Sequence, residues 1–374
     1  MSTAEHIPAF SYVAEPLLVA SLLTVGCLLN RRTSSTLRLL RSPAAYNQLP
    51  VRPTHLPTFF GATVRIPDTA KYSGRLVSRF LARFPFLMEV WYWLLTYWVY
   101  QIARAMQALT MGKGTRGIAQ RHAELIIIIE RALHIDIELA LQKIILTRPA
   151  LLYFFNKTYA MVHIPATIAF FAYSYYAFPA TIFQRTRRTL VLSNCLAFVI
   201  FTLWPCMPPR LLPIEEYGYV DTLHTGKAAS IWTTNKFQNQ LAAFPSLHFG
   251  YSWVIGVSLF VYSPSRLVRA VSLFYPLLIL LVIMATANHY LLDAVGGFFV
   301  TMIAYRFNSV LLNLRPLEEW GFWLVGVEKP VEKEVVDRVT RVLGGDGEDE
   351  SRRWKDEDSE REDSGLLARH EERV

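Results

Sequence analysis

The sequence predicts an all-α, multi-pass membrane protein: a transmembrane helical bundle of six to seven spans with a disordered acidic C-terminal tail. Three observations carry that expectation. Apolar residues fill 52% of the 374 positions and charged residues only 18%, below the quarter or so that soluble domains carry. Seven stretches approach the ~20 apolar residues that a bilayer crossing requires. Basic residues also gather between alternate stretches, as the positive-inside bias demands.

Taken in chain order, the spans read as 10–29, 86–109, 151–178, 189–206, 247–262, 270–287 and 291–312. The first is interrupted by Glu15 and Pro16. It does not read as a cleaved signal, because residues 1–9 carry no Lys or Arg and no small-x-small site follows. The last two are separated by a few polar residues and read as an antiparallel hairpin. Gly112-Lys113-Gly114-Thr115-Arg116-Gly117 lacks the spacing of a phosphate loop and follows a helix, so it reads as a linker. After it, 122–146 is too short to span and reads as one interfacial or packing helix. Trp320 and Trp323 suit an interfacial anchor. Four regions follow: N-terminal spans and a basic loop (1–117), a catalytic membrane domain (118–315), an interfacial segment (316–343) and the acidic tail (344–374).

The charge pattern orients this map. Residues 31–83 hold ten basic residues and one acid, Asp68, and Arg185, Arg187, Arg188, Arg266 and Arg269 fall on the same side if the spans alternate. That side reads as cytoplasmic, facing an anionic leaflet. Residues 328–374 carry 16 acidic and 10 basic residues, so the net charge of +8 joins a strongly basic body to an acidic tail. The basic charge is therefore membrane-apposed, and no nucleic-acid partner is expected. Three cysteines, Cys27, Cys195 and Cys206, exclude a disulfide-stapled secreted scaffold. Glu15 and Glu89 are expected to face the bundle interior.

Three short segments fall at the opposite membrane face: Trp204 to Arg210, Ala243 to His248, and Asn288 to Asp293. Pro245 suits the first turn of a helix, where Ser246 and free amides would face an anion. Arg210 offers a planar fork matched to phosphate oxygens. His289 and Asp293 are four apart and share a helix face. The carboxylate would accept from one imidazole nitrogen and leave the other as nucleophile or base. His248 supplies a second imidazole, able to protonate a departing oxygen. Asn156, Tyr159 and His163 line another helix face, where His163 suits packing or a site equally.

These motifs resemble the active site of the type-2 phosphatidic acid phosphatase superfamily, with its Pro-Ser-x-His and His-x-x-x-Asp. Within it the chain is most similar to the membrane branch that includes the fungal inositol phosphotransferases, the inositolphosphorylceramide synthase-like enzymes. Pro208 to Leu211, Gly218 to Asp221, Ala242 to His248, Ala287 to Asp293, Glu130-Arg131, Glu138 and the Asn156, Tyr159, His163 set carry that likeness, which covers roughly residues 118–310. The resemblance implies that His289 attacks phosphorus, Asp293 orients it, and His248 protonates the leaving oxygen. It implies that Arg210 and Ser246 hold the phosphate, with no cofactor and no metal. The product would be a phosphohistidine, resolved by water (phosphatase) or an alcohol (transferase).

The substrate would be a membrane lipid phosphate or phospholipid, with inositol phosphate transfer in sphingolipid synthesis as the finer expectation. The site would face the lumen or exterior, in the Golgi or endoplasmic reticulum if the source is eukaryotic. The superfamily's Ser-Arg is absent, since Val282 and Ile283 stand there; its upstream Lys is replaced by Leu203, and Leu211 replaces Pro after Arg210. Lys227 and Lys236 are candidate replacements for the missing cations. The fungal ceramide-directed enzymes carry an aromatic residue where Arg210 stands. Two other readings remain open: a metal site built from His248, His289 and Asp293, and a catalytically silent transporter-like or scaffold bundle.

Overall fold

The computed structural model describes residues 11–42, 54–57, 61–110, 112, 114–223 and 240–343. The expected disordered tail from 344 and the loop lysines Lys227 and Lys236 lie outside the described residues. Helices dominate. The N-terminal part holds α1 (Ser11–Leu29), α2 (Ser34–Leu39), α3 (Leu76–Arg83) and α4 (Phe86–Thr110). A small antiparallel hairpin, β1 (His55–Pro57) with β2 (Thr63–Arg65), interrupts the basic loop that an all-α reading leaves plain. Then come α5 (Thr115–Ala132), α6 (Glu138–Leu146), α7 (Pro149–Met161), α8 (His163–Ala177), α9 (Ala180–Leu203) and α10 (Ile214–Tyr217). The chain closes with α11 (Leu247–Tyr262), α12 (Arg266–Ser272), α13 (Phe274–Ala285), α14 (Leu291–Phe307), α15 (Arg315–Val325) and α16 (Lys333–Leu343).

Among the described residues, four helical stretches are long and apolar enough to cross a membrane: Tyr12–Leu29, Ala180–Leu203, Arg266–Ala285 and Leu291–Val325. α11 is apolar but shorter. The expected span at 151–178 is two helices, α7 and α8. Pro165 has no N–H to give the Met161 carbonyl and its ring crowds that turn, which accounts for the break. The single helix expected at 122–146 is also two, because His134 takes a left-handed φ of 56° between α5 and α6. α9 starts well before residue 189 and draws Arg187 and Arg188 into the helix. Arg187 donates to both Glu89 oxygens, at 2.7 and 2.6 Å, and Arg188 Nε donates to Asn308 Oδ1 at 3.0 Å. With those heads satisfied, the charges no longer stop the helix. Glu89 and Glu15 are both turned inward, and Glu15 is fully buried.

α9, α11 and α14 form the central packing unit; α13 lies on α11, and α6 and α7 lie on α13. The expected hairpin of the last two spans is a minor contact, since α14 packs chiefly along α9 and α11. Glycine explains why. A Cβ on Gly297 would lie 2.2 Å from the Ser246 carbonyl oxygen, and one on Gly250 would lie 3.0 Å from the Gly297 oxygen. Without side chains there, α11 and α14 cross backbone to backbone, in the manner of small-residue membrane crossings. Toward the C-terminal end of the Leu291–Val325 stretch, Trp320 and Trp323 meet edge to face, and Trp320 Nε1 donates to the Arg65 carbonyl at 3.1 Å. Lys333 at the start of α16 donates to the carbonyls of Tyr175 and Phe178, which end α8.

Candidate active site

The three segments singled out in the sequence meet at one end of the bundle. Cys206 N donates to Leu241 O at 2.8 Å and Ala243 N to Cys206 O at 3.1 Å, a short parallel bridge that fastens the first segment to the second. Arg210 N donates to Ala287 O at 2.9 Å and Ser246 N to Asp293 O at 2.8 Å, which fastens both to the third. Tyr290, fully buried, donates its hydroxyl to Met207 O at 3.2 Å.

His289 stands two residues ahead of α14, not on it. Its Nδ1 lies 2.8 Å from Ala243 O and 3.4 Å from Asp293 Oδ2. A backbone carbonyl can only accept, so Nδ1 carries a hydrogen, and in the neutral ring Nε2 keeps the lone pair. The carboxylate expected to orient the ring is therefore joined, at shorter range, by a carbonyl from the segment before α11. Asp293 Oδ2 also accepts from Tyr290 N at 2.9 Å, which caps α14. Asp293 Oδ1 is buried with no hydrogen-bond partner among the described residues.

His248, on the first turn of α11, sits with its ring centroid 5.6 Å from that of His289. Behind it the Tyr159 ring stacks at 4.7 Å and the His163 ring lies at 4.9 Å. The helix face that carried Asn156, Tyr159 and His163 thus divides. Tyr159 and His163 pack on His248, while Asn156 turns to Thr222, whose carbonyl it reaches at 2.9 Å. The His163 Nδ1 is buried and unpartnered among the described residues.

Arg210 is almost buried, at 9% exposure. Its Nε donates to Asn288 Oδ1 at 2.8 Å and its Nη1 to Asp221 Oδ2 at 3.1 Å. Asn288 is fixed in turn by donating to Thr286 Oγ1 at 2.8 Å. Ser246 differs from the expectation in two ways. It is the N-cap of α11, accepting from Phe249 N at 3.4 Å, so Pro245 precedes the helix instead of occupying its first turn. Its own amide is committed to Asp293 O, so only the hydroxyl hydrogen remains to be given to a ligand.

Two residues that sequence reasoning did not place in the site hold its geometry. Glu138 Oε1 accepts from Leu291 N at 2.6 Å, and Glu130 Oε1 accepts from Leu292 N at 2.8 Å. These are the first two amides of α14, which no intrahelical carbonyl can reach. Carboxyls from α5 and α6 satisfy them and so pin the end of α14 that carries Asp293. Burial, reinforced by the neighbouring Glu138 charge, pushes the Glu130 carboxyl up to about 8. Burial raises Glu138 as well. Their signal in the sequence is their place in the family likeness, but they are two of four acids in 124–138, with Glu124 and Asp136, and an interfacial helix accounts for all four equally well.

The segment that contains all of these side chains matches one known family. Residues 124–307 match the family model of the PAP2 superfamily. The PAP2 match supports a phosphoesterase or phosphotransferase acting on lipid phosphate, in an integral membrane protein. No curated protein and no solved structure matches the chain. As for the metal reading of His248, His289 and Asp293, no group of three or more His, Cys, Asp and Glu side chains is spaced to hold an ion among the described residues.

Proposed function

We propose that this protein is an integral-membrane lipid phosphatase or phosphotransferase that works through a phosphohistidine on His289. The observation that carries this reading is the placement of His289 Nδ1, 2.8 Å from Ala243 O and 3.4 Å from Asp293 Oδ2, which makes Nδ1 the donor and leaves Nε2 as the nucleophile. In the first step the Nε2 lone pair forms a bond to phosphorus and the bond to the leaving oxygen breaks. That oxygen takes its proton from His248. The positive charge left on the His289 ring is stabilised by the Asp293 carboxylate. In the second step water or an alcohol attacks phosphorus and gives its proton to His248, and the N–P electrons return to Nε2. Arg210, with the Ser246 hydroxyl, is suited to hold the non-bridging oxygens, where fixed donors contribute most as charge develops.

The finer reading is inositol phosphate transfer in sphingolipid synthesis, at the lumenal face of an endomembrane. Its support is the likeness of the motifs to the inositol phosphotransferase branch and the positive-inside map. The test has two parts. Purified protein incubated with phosphate-labelled phospholipid should acquire an acid-labile, alkali-stable label that His289→Gln lacks, and the variant should lose release or transfer while expressing normally. Turnover retained by His289→Gln overturns the nucleophile assignment. In cells lacking the chain, a deficit of inositol-phosphate sphingolipids supports the transferase, and accumulated lipid phosphate supports the phosphatase.

A further inference from the structure

Arg210 is hydrogen-bonded through Nε to Asn288, the neighbour of His289 in the chain, so on the reading above what decides its direction decides how phosphate is held. Of the five N–H groups an arginine offers, Nε is taken by Asn288 and one on Nη1 by Asp221. The remaining three lie on the two terminal nitrogens. Asp221 is itself held with unusual firmness. On one side of it, Gln142 pairs with Val220 twice: Nε2 donates to Val220 O at 2.8 Å, and Val220 N donates to Oε1 at 3.1 Å. On the other side, Asn156 Nδ2 donates to Thr222 O at 2.9 Å, and Thr222 Oγ1 donates to Asn156 Oδ1 at 3.1 Å.

Both amide side chains are buried, Gln142 at 1% and Asn156 at 4% exposure. They come from α6 and α7, the helices packed on α13. Each uses its donor and its acceptor on the same stretch of chain, an arrangement that costs several polar groups if any one member is lost. The carboxylate between them is further tied down because Oδ1 accepts from Leu223 N at 3.1 Å. The strap therefore fixes residues 220 and 222 and presents the intervening carboxylate to the arginine.

We infer that Asp221 is a positioning residue for the phosphate-binding Arg210, and that Gln142 and Asn156 are the clamps that hold it there. The inference rests on the reading of Arg210 as the phosphate ligand. Asp221 does not touch the reacting atoms. It fixes the guanidinium plane between Asn288 and itself, leaves the remaining N–H groups uncommitted, and spares the arginine the entropy of finding that pose on each turnover.

Orthovanadate, a phosphate mimic, tests this without requiring turnover. The purified full-length protein is titrated with orthovanadate while its thermal unfolding midpoint is followed. Wild type should bind, and Arg210→Ala should bind at least tenfold more weakly. Asp221→Ala should weaken binding about tenfold, the scale of one charge-assisted hydrogen bond. Asp221→Asn, whose amide oxygen still accepts from Nη1, should retain affinity within about threefold on the same scale. Gln142→Leu, which removes one clamp and leaves Arg210 and Asp221 intact, gives a second measurement should Asp221→Ala fail to fold, and it should also weaken binding.

Equal affinity in wild type and Asp221→Ala overturns the inference and leaves the phosphohistidine reading standing. An equal loss in Asp221→Asn and Asp221→Ala overturns it too, because charge and not position would then be at issue. Full affinity in Gln142→Leu removes the clamp. Failure of wild type to bind orthovanadate overturns the functional reading on which the inference rests.

Discussion

Gly297→Ala tests whether the crossing of α11 and α14 sets the site. The added Cβ would stand 2.2 Å from the Ser246 carbonyl oxygen and 3.0 Å from its carbonyl carbon. Both neighbours are backbone, so no side chain can swing aside. Restoring ordinary contact requires the two helices to part by about 1 Å, since carbon and oxygen pack near ~3.3 Å. That displacement falls on the Ser246 N to Asp293 O bond, now 2.8 Å, and stretches it past useful length. It also moves Ala243 O, three residues earlier, away from His289 Nδ1.

Overpacking of this kind costs roughly 1–3 kcal/mol of stability, and misplacing catalytic groups by about an ångström costs on the order of a hundredfold in rate. The assay pairs the unfolding midpoint in detergent with phosphate release or transfer. Gly321→Ala is the control, because nothing lies within 4 Å of a Cβ there. A Gly297→Ala protein that unfolds with wild type and keeps its rate within twofold would refute the argument.

Three further outcomes follow from the same geometry. Asp293→Asn should lower turnover by at least tenfold, on the order of a lost charge-assisted hydrogen bond, while the fold survives through the amide oxygen that still caps Tyr290 N; unchanged turnover would remove Asp293 from the mechanism. Glu130 is raised from its ordinary 4.5 to about 8, so between those values the folded protein holds a proton that the unfolded chain releases. Stability should therefore fall as pH rises from about 4.5 to 8, and Glu130→Gln should flatten that slope; unfolding midpoints taken across the window will differ between the two proteins, or the assignment is wrong. Arg187→Met strands the inward-facing Glu89 carboxylate and should cost about 3 kcal/mol, whereas adding Glu89→Leu should restore most of it; a single variant as stable as the double one refutes the pairing argument.

The site was legible in the sequence to the extent that its chemistry resides in residue types with few other uses. Histidine, arginine and aspartate at helix ends of an apolar chain have few other uses, and the structure sets His248 beside His289, His289 beside Asp293, and Arg210 onto Asn288 next in the chain. What the sequence hid was supplied by groups with no distinctive letter. Ala243 orients His289 through a carbonyl that every residue owns. Glu130 and Glu138 act as helix caps across more than 150 positions of chain, a distance over which no local rule operates. The helix breaks differ in this respect. Pro165 announced one of them, within a run whose hydropathy alone suggested continuity, whereas the left-handed turn at His134 has no comparable marker.

The capping of α14 by foreign carboxyls has a consequence for what happens after the chemistry. A helix end with open amides is an anion trap, and this one is already closed by Glu130 and Glu138. Arg210, for its part, shares its charge with Asp221. The pull on a bound anion therefore comes from a few aimed hydrogen bonds and not from a broad positive field. Under the proposed phosphohistidine mechanism, such a cradle would grip a phosphoryl group while it is tethered to His289 and loosen once the tether is cut, clearing the site for the next lipid.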